Sequence, residues 1–198
     1  MQIQLLEHET IESLVFAGQP ERTPGLHVSQ IIKSICVEID PKRFTQENER
    51  LPWERFETGF TFERVLEVAL QSRRAEIFRP GEVEQDGIIL SPDGIDPDGS
   101  VFSFATLNDP YILEEFKFTW MSVREAPQHS KFLHWFWQMK AYCHVLGTPR
   151  ARLRALFVNG DYKGSGPLYR VWDIQFTEQE LLDNWQMLVQ HARAKGWL

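Results

Sequence analysis

The segment YILEEFKFT, residues 111–119, has the composition of a buried β-strand but carries three charged residues. Isoleucine and aromatic residues favour the extended conformation. Successive side chains of a strand point to opposite faces, so Glu115 and Lys117 project together and Glu114 projects the other way. Burying a charge is costly unless the charge is paired or bound to a metal. The segment therefore predicts a core strand whose Glu115–Lys117 pair belongs to a functional site.

The residue types of this pair suit the hydrolysis of a phosphodiester bond. A carboxylate holds Mg²⁺ through its oxygen atoms. A neighbouring lysine orients or deprotonates a water molecule, or stabilises the charge that develops on a phosphate. The alternative is an edge strand with a solvated polar face, which a short pattern does not exclude.

The Asp/Glu-x-Lys spacing occurs three times in the chain, at residues 40–42, 115–117 and 161–163. The first copy flanks a proline in a predicted loop, and the third lies in the glycine-flanked turn NGDYKGSG. Only the second copy interrupts a predicted buried strand. This context selects Glu115 and Lys117 as the candidate catalytic pair.

A further acidic residue, Asp93, precedes Glu115 by 22 positions, in the sequence SPDGI at 91–95. It follows a predicted strand at 82–91, and a turn at a strand end can direct its carboxylate towards Glu115. Pro-Asp-Gly is also a common turn sequence without any other role. Asp86 is a rival ligand on the same predicted strand. Because seven positions separate the two aspartates, a regular strand would place them on opposite faces.

Two predicted helices add polar residues to this set. Gln138 and Tyr142 are four apart in the apolar helix predicted for 130–146, so they share a face. Glu63 lies in the helix predicted for 57–75. A satisfied buried pair and a solvated glutamate are the alternatives for these positions.

The remaining pattern predicts an α/β domain. Apolar periodicity and turn residues mark its elements. The predicted helices are 29–37, 57–75, 130–146 and a final helix that opens at Thr177. The predicted strands are 82–91, 111–119, 152–158 and 168–176. Ser29 is the predicted N-cap of the first helix, and Thr177 forms a capping box with Glu180. We therefore expect a central mixed β-sheet flanked by α-helices.

The length of 198 residues fits a single domain. We predict a helical and loop extension at 1–55 and a core at 56–198. No apolar run approaches the roughly 20 residues that span a bilayer. The N-terminal sequence has no basic region followed by an apolar stretch, so no signal peptide is expected.

Cysteine content and charge limit the chemistry further. Cys36 and Cys143 are too few for an iron–sulfur cluster and form no paired motif. A cytoplasmic location is therefore the simplest expectation. The net charge of −7 argues against a nucleic-acid partner unless the basic residues are clustered, because phosphate contacts need lysine and arginine.

Taken in order, the singled-out residues resemble the motifs of the PD-(D/E)XK nuclease superfamily, and within it the RecB-like and lambda-exonuclease (YqaJ)-like branch. The motifs are Gly-x-x-x-Glu (Gly59, Glu63), Ser-Pro-Asp-Gly (Asp93), Glu115-Phe116-Lys117 and Gln-x-x-x-Tyr (Gln138, Tyr142). The resemblance spans about residues 57–146. The four-cysteine cluster of CRISPR-associated relatives is missing, so we expect a stand-alone nuclease of the kind that viruses and mobile elements encode.

The resemblance implies a restriction-endonuclease-like core that binds one or two Mg²⁺ or Mn²⁺ ions. The implied metal ligands are Glu63, Asp93, Glu115 and the carbonyl of Phe116. The implied catalytic residues are Asp93, Glu115, Lys117, Gln138 and Tyr142. Among these, Lys117 would act on the attacking water, and the glutamine and tyrosine would support the site or contact DNA.

The implied activity is hydrolysis of DNA by an exonuclease that acts on linear double- or single-stranded ends in recombination, repair or replication. Three alternatives stay open. They are a structure- or site-specific endonuclease on the same core, a non-catalytic nucleic-acid-binding or assembly protein, and a phosphodiesterase acting on RNA or small molecules. A homo-oligomer is also left open.

Contact with DNA would require basic side chains on an acidic chain. The candidates are Arg73, Arg74, Lys131, Lys140, Arg150, Arg152 and Arg154. The last three alternate, so they share one strand face. A solvated face is the alternative interpretation for each of them.

Overall fold

A computed structural model gives the fold and describes residues 23–44, 53–72, 77–97, 111–124, 126–164 and 166–198. The helices are α1 (Val28–Ile39), α2 (Pro41–Phe44), α3 (Trp53–Gln71), α4 (Leu133–Leu146) and α5 (Glu178–Ala194). The strands are β1 (Leu26–His27), β2 (Val83–Gln85), β3 (Ile88–Leu90), β4 (Gly94–Asp96), β5 (Ile112–Thr119), β6 (Arg150–Phe157) and β7 (Leu168–Gln175). None of these helices is long and apolar enough to cross a membrane.

The described strands form two mixed sheets. In the smaller sheet β3 pairs in parallel with β1 and antiparallel with β2. The larger sheet has the order β4-β5-β6-β7, and its central β5–β6 pair is parallel while the outer pairs are antiparallel. The predicted class, an α/β fold with mixed β-structure flanked by helices, is confirmed. The described strands differ from the expectation in forming two sheets where we expected one.

The parallel pair β5–β6 forms the centre of the larger sheet. Its register places Leu113 beside Ala151 and Glu115 beside Leu153. Parallel strands are usually covered on both faces, and nearly every residue of these two strands is buried. A charged side chain on β5 therefore lies in the core and needs a partner there.

Helix α4 packs on the face of the sheet that carries Leu113 and Glu115. One turn of 3₁₀ helix, Ser130–Phe132, leads into it. It ends at Gly147, whose φ of 71° is the left-handed conformation that favours glycine at helix ends. The helix predicted for 130–146 is thus confirmed together with its terminating glycine. It carries Gln138 over the centre of the larger sheet.

Helices α1 and α5 share one hydrophobic core with α4. A hydrogen bond of 2.9 Å joins the ring of His191 on α5 to the hydroxyl of Ser34 on α1. The predicted capping box at the start of α5 is present. Thr177 Oγ1 accepts a hydrogen bond from the backbone N–H of Glu180 at 3.2 Å, and the Glu180 carboxylate accepts one from the Thr177 N–H at 2.9 Å.

The start of α1 differs from the prediction. Its N-cap is His27, so the prediction of Ser29 as N-cap was wrong. The backbone N–H of His27 donates to Gln30 Oε1 at 2.9 Å, which secures the first turn through a side chain three residues on. Both β1 and α1 fall within the segment 1–55 that we predicted as an extension, and they contribute a strand and a core helix. The division at residue 55 stays a prediction.

The segment 82–91, predicted as one strand, forms the hairpin of β2 and β3. Asp86 and Gly87 at its turn have φ values of 52° and 76°. Positive φ at both central residues is typical of a two-residue type I′ turn, for which Asp-Gly is a preferred sequence. The single-strand prediction was wrong because it passed over this turn signal.

The face of the larger sheet opposite Glu115 carries a network of ion pairs. The buried Glu114 accepts two hydrogen bonds from Arg154, at 2.6 and 2.9 Å. Arg152 donates to Asp173 on β7 at 2.6 and 3.2 Å. These alternate arginines share one strand face as predicted. Their guanidinium groups bind carboxylates of neighbouring strands within the protein.

We predict that breaking the Glu114–Arg154 pair destabilises the protein more than removing it altogether. Arg154→Met leaves a buried carboxylate without its main partner, so the free energy of unfolding should fall by roughly 3–5 kcal/mol. Glu114→Leu combined with Arg154→Met should recover most of that loss. Urea denaturation followed by circular dichroism measures both. An Arg154→Met variant as stable as the wild type would contradict this account of the network.

Candidate active site

Glu115 and Lys117 lie side by side on β5, on the face covered by α4. The Glu115 side chain is fully buried, and the Lys117 side chain is 17% exposed. Lys117 Nζ donates to Glu115 Oε1, and also to Gln138 Oε1 at 3.1 Å. The prediction that the two charges project together is confirmed. The lysine extends from a buried carboxylate towards solvent.

Asp93 stands immediately before β4, beside the centre of β5. Antiparallel pairing sets Gly94 opposite Glu114, and Asp93 Oδ2 accepts a hydrogen bond of 2.8 Å from the backbone N–H of Phe116. A Cβ atom at Gly94 would lie 3.3 Å from the Cβ of Glu114, closer than side chains normally pack. Glycine after the aspartate thus permits the close approach of β4. The backbone contact holds Asp93 next to the Glu115–Lys117 pair.

Gln138 and Tyr142 extend the hydrogen-bond chain across α4. Gln138 accepts from Lys117 and donates through Nε2 to the Tyr142 hydroxyl at 2.8 Å. The tyrosine is almost completely buried, which fixes the far end of the chain. The predicted pair therefore shares a face and is directed at the lysine. Gln138 restricts where the Lys117 ammonium can lie.

Glu63 reaches the same region from α3. Its carboxylate lies 3.5 Å from Arg79 Nη2, and the next glutamate along the helix face, Glu67, lies 3.8 Å from Arg79 Nε. Phe62 of the same helix packs against Phe118 of β5, with ring centroids 5.7 Å apart. This aromatic contact holds α3 beside the strand that carries Glu115 and Lys117.

Burial raises the pKa values of the carboxylates in the site. Burial raises the pKa of Glu115 to about 8 and that of Glu63 to about 7, and the charge of Asp93 adds to both rises. Burial also raises the pKa of Asp93. For Lys117 burial alone would lower the pKa, but the charges of Glu115 and Asp93 outweigh burial and raise it. The site is a concentration of acidic groups around one ammonium.

This arrangement fits a divalent cation in its donor chemistry. Glu115 Oε2 is buried and accepts no hydrogen bond from the residues that the structure describes, while Oε1 faces Lys117. Carboxylate oxygens are the ligands that Mg²⁺ and Mn²⁺ prefer. Among the described residues no three His, Cys, Asp or Glu side chains already form a closed metal site. Magnesium commonly binds through one or two carboxylates and retains water, so Asp93 and Glu115 suffice as its protein ligands.

A cavity of about 900 Å³ opens onto these groups. Asp93, Lys117 and Gln138 line it, together with Glu63 and Tyr142. Its volume lies near the upper end of the roughly 300–1,000 Å³ of small-molecule pockets. Lys117, which lines the cavity, donates a hydrogen bond to the buried Glu115 carboxylate.

The residues predicted to contact DNA are not gathered at this cavity. Lys140 lies 3.4 Å from Glu180 and over the ring of Phe176, and Lys131 lies over the ring of Phe132. Arg152 and Arg154 are buried on the opposite face of the sheet in the ion pairs described above, and Arg150 is buried as well. Arg73 and Arg74 lie outside the described residues. A role in DNA contact remains a prediction for this set.

Two other predicted residues have different positions. Asp86 accepts a hydrogen bond of 2.8 Å from the indole of Trp185 at the β2–β3 turn, so the structure does not bring it into the site. This resolves the choice of neighbour for Glu115 in favour of Asp93. The side chain of Phe116 is buried, and its N–H holds Asp93. Its carbonyl as a metal ligand remains a prediction.

Sequence reasoning missed Arg79, which lines the cavity and binds Glu63 and Glu67. It also missed His27 and Ser29 at the start of α1, which line the same cavity. Arg79 lies in an irregular segment before β2 and belongs to no spacing pattern. The pairing of Phe78 with Ile95 brings Arg79 beside the site. No local sequence pattern predicts that pairing.

Comparison of whole structures identifies proteins with a similar fold. The crystal structure of the alkaline exonuclease LHK-Exo from Laribacter hongkongensis superposes with a TM-score of 0.53 at 13% sequence identity, over 86% of this chain and 87% of that chain. The structure of LHK-Exo in complex with dAMP gives 0.50 at 10% identity, over 86% and 87%. The crystal structure of SSO0001 gives 0.50 at 12% identity, over 85% of this chain and 77% of that chain.

At the level of sequence, no protein-family model matches the chain, and the search of curated proteins gave no match. Identities of this size show a common fold and nothing finer. The chain therefore has the α/β fold seen in the exonuclease structure from Laribacter hongkongensis.

We predict that His134, on α4 near Lys117, makes the protein sensitive to acid. Burial, aided by the charges of Lys117 and Arg43, lowers the pKa of His134 to about 4. The unfolded chain binds this proton near its ordinary pKa of about 6.5. The stability that comes from keeping the ring neutral is therefore present above pH 6.5 and is lost as the pH falls towards 4.

The measurement compares the wild type with His134→Phe, which keeps the edge contacts to Phe44 and Trp135. Urea denaturation at pH 7.0 and pH 4.5 gives the free energy of unfolding of each protein. We expect the wild type to lose more stability between these pH values than the variant. Equal losses would contradict the assigned titration.

Proposed function

We propose that the chain is a metal-dependent deoxyribonuclease of the PD-(D/E)XK superfamily, and specifically an exonuclease that acts on DNA ends in recombination, repair or replication. The observation that carries the proposal is that Asp93 and Lys117 line one cavity while Lys117 donates to the buried Glu115 carboxylate. The second oxygen of Glu115 accepts no hydrogen bond from the described residues, so it is available to a cation.

Asp93 and Glu115 would hold the cation, with Glu63 as a further carboxylate at the cavity. When bound, the metal supplies positive charge that favours attack on a phosphodiester and departure of the leaving oxygen. The second oxygen of Glu115 accepts no hydrogen bond from the described residues, and Asp93 lies beside the same strand. One or two ions of Mg²⁺ or Mn²⁺ would bind between these carboxylates.

Lys117 would position the attacking water. An ammonium has three N–H donors, and among the described residues Glu115 and Gln138 accept from it. A remaining donor can reach a water or a phosphate oxygen in the cavity, which Lys117 lines. Gln138, held by Tyr142, keeps the ammonium from moving away from this point. The proposed roles are therefore orientation of the water and stabilisation of developing charge.

The choice of an exonuclease over an endonuclease is supported by the fold shared with a named alkaline exonuclease. The proposal also includes the cytoplasmic location and the viral or mobile-element origin that the sequence analysis led us to expect.

We predict that the purified protein degrades linear DNA with Mg²⁺ or Mn²⁺ and spares covalently closed circular DNA. Lys117→Ala should lower the rate by about 10²–10⁴-fold, the usual contribution of a positioned proton-handling group. A gel assay on end-labelled linear and closed circular substrates, with and without EDTA, measures both effects. Nicking of the circle would favour the endonuclease alternative.

The matched control is Lys163→Ala, because Lys163 belongs to another Asp-x-Lys copy and lies in an exposed turn. It should retain wild-type activity. Full activity of Lys117→Ala would contradict the proposed function. Failure of the wild type to degrade DNA with either metal would contradict it as well.

We predict that Mn²⁺ raises the melting temperature of the wild type and that Asp93→Asn removes this effect. Binding to the folded state adds about 2.7 kcal/mol to the free energy of unfolding when the metal is at about 100 times its Kd. Differential scanning fluorimetry with a Mn²⁺ titration, reversed by EDTA, gives the shift. Isothermal titration calorimetry gives the stoichiometry.

Asp161→Asn is the control for this experiment, since Asp161 is the acidic partner of Lys163 in the turn at 161–163. Its Mn²⁺ response should equal that of the wild type. A wild type with no response, or an Asp93→Asn variant with an undiminished one, would rule out the assigned ligands.

A further inference from the structure

Arg79 is a cavity-lining cation that the sequence motifs do not include. Its guanidinium lies between two glutamates on adjacent turns of α3, with Nη2 3.5 Å from Glu63 Oε2 and Nε 3.8 Å from Glu67 Oε2. Both separations exceed the roughly 2.7–2.9 Å of a good charge-assisted hydrogen bond. The side chain is 40% exposed. Arg79 is therefore close to carboxylates but loosely bound to them.

The backbone at Arg79 is fixed relative to Asp93. The preceding residue, Phe78, exchanges two backbone hydrogen bonds with Ile95, at 3.1 and 2.8 Å. Ile95 belongs to β4, whose first residue directly follows Asp93. Pro80 follows Arg79 and limits its backbone conformation. The backbone beside Arg79 is thus anchored to β4, the strand that directly follows the proposed metal ligand Asp93.

Acidic residues outnumber basic ones among the described residues that line the cavity. A substrate phosphate that enters it therefore needs a cation to offset the negative charge. The described acidic residues on its wall are Glu63, Glu67, Glu82 and Asp93, and the basic ones are Arg64, Arg79 and Lys117. Lys117 is already held by Glu115 and Gln138. Arg79 is near enough to lower the pKa values of both Glu63 and Asp93. The influence of its charge thus extends to the proposed metal ligands.

We propose that Arg79 binds a phosphate of the substrate strand as it enters the cavity, exchanging its loose contacts with Glu63 and Glu67 for hydrogen bonds to phosphate oxygens. This inference rests on the proposed nuclease function and names the residue that meets the DNA backbone. A guanidinium presents paired donors that match a phosphate, which a single ammonium does not. The release of Glu63 from Arg79 makes that carboxylate available at the same step.

The test is DNA binding in EDTA, where no cleavage occurs. Fluorescence anisotropy with a fluorescein-labelled single-stranded oligonucleotide gives the Kd at several NaCl concentrations. Loss of one phosphate contact lowers the slope of log K against log[salt] by about 0.7 for a single strand. Arg79→Gln should show this decrease and bind about tenfold more weakly, the effect expected from a hydrogen bond to a charged group. Arg79→Lys should keep the slope and recover part of the affinity.

Arg170→Gln is the matched control, because it removes the same charge from β7, away from the cavity. Its slope and Kd should equal those of the wild type. Steady-state kinetics on linear DNA with Mg²⁺ add a second readout, in which Arg79→Gln should raise KM more than it lowers kcat.

A purely structural role for Arg79 gives a different outcome. In that case Arg79→Gln would change the melting temperature or kcat while its Kd and salt slope in EDTA stayed at wild-type values, and the proposal would be overturned. Wild-type protein that binds no DNA would overturn it as well. Failure of the nuclease function alone is distinct, because it would appear as Arg79-dependent binding without cleavage in Mg²⁺ or Mn²⁺.

Discussion

The burial of the Glu115 carboxylate within the central parallel strand pair constrains the rest of the molecule. An ionised carboxylate without water must find hydrogen bonds or a cation. One of its oxygens faces Lys117, which in turn is held by Gln138 on α4. Asp93 adds a second carboxylate through the backbone of Phe116. The packing of β4 and α4 against β5 can therefore be understood as the means of holding one costly group in place.

The two faces of β5 show two solutions to the same electrostatic problem. On one face Glu114 accepts two hydrogen bonds from Arg154. On the other face Glu115 accepts a hydrogen bond from Lys117, and Lys117 lines a cavity. Adjacent residues of one strand thus have different surroundings. The proposed site lies on the second face, where Lys117 and Asp93 line the cavity.

The sequence predicted those features that depend on local pattern. Strand alternation gave the opposed directions of Glu114 and Glu115, helical spacing gave the Gln138–Tyr142 face, and a capping box gave the start of α5. The errors arose where a local signal was passed over or long-range pairing decides. The Asp86-Gly87 turn divides a predicted strand, and Arg79 reaches the cavity only because Phe78 pairs with Ile95. The carboxylate partners of Arg152 and Arg154 lie on other strands, 21 and 40 positions away, so no local pattern predicted these ion pairs.

The contact between α1 and α5 has a consequence for how the chain acquires its structure during synthesis. Ser34 and His191 are 157 positions apart, and Trp185 of the same last helix binds Asp86 across 99 positions. The first helix therefore leaves the ribosome long before its packing partner exists. Its apolar residues, among them Ile31 and Ile35, stay without that cover until α5 has been synthesised. Completion of the core is thus a late, non-local event, of the kind that slows folding and prolongs exposure to chaperones and proteases.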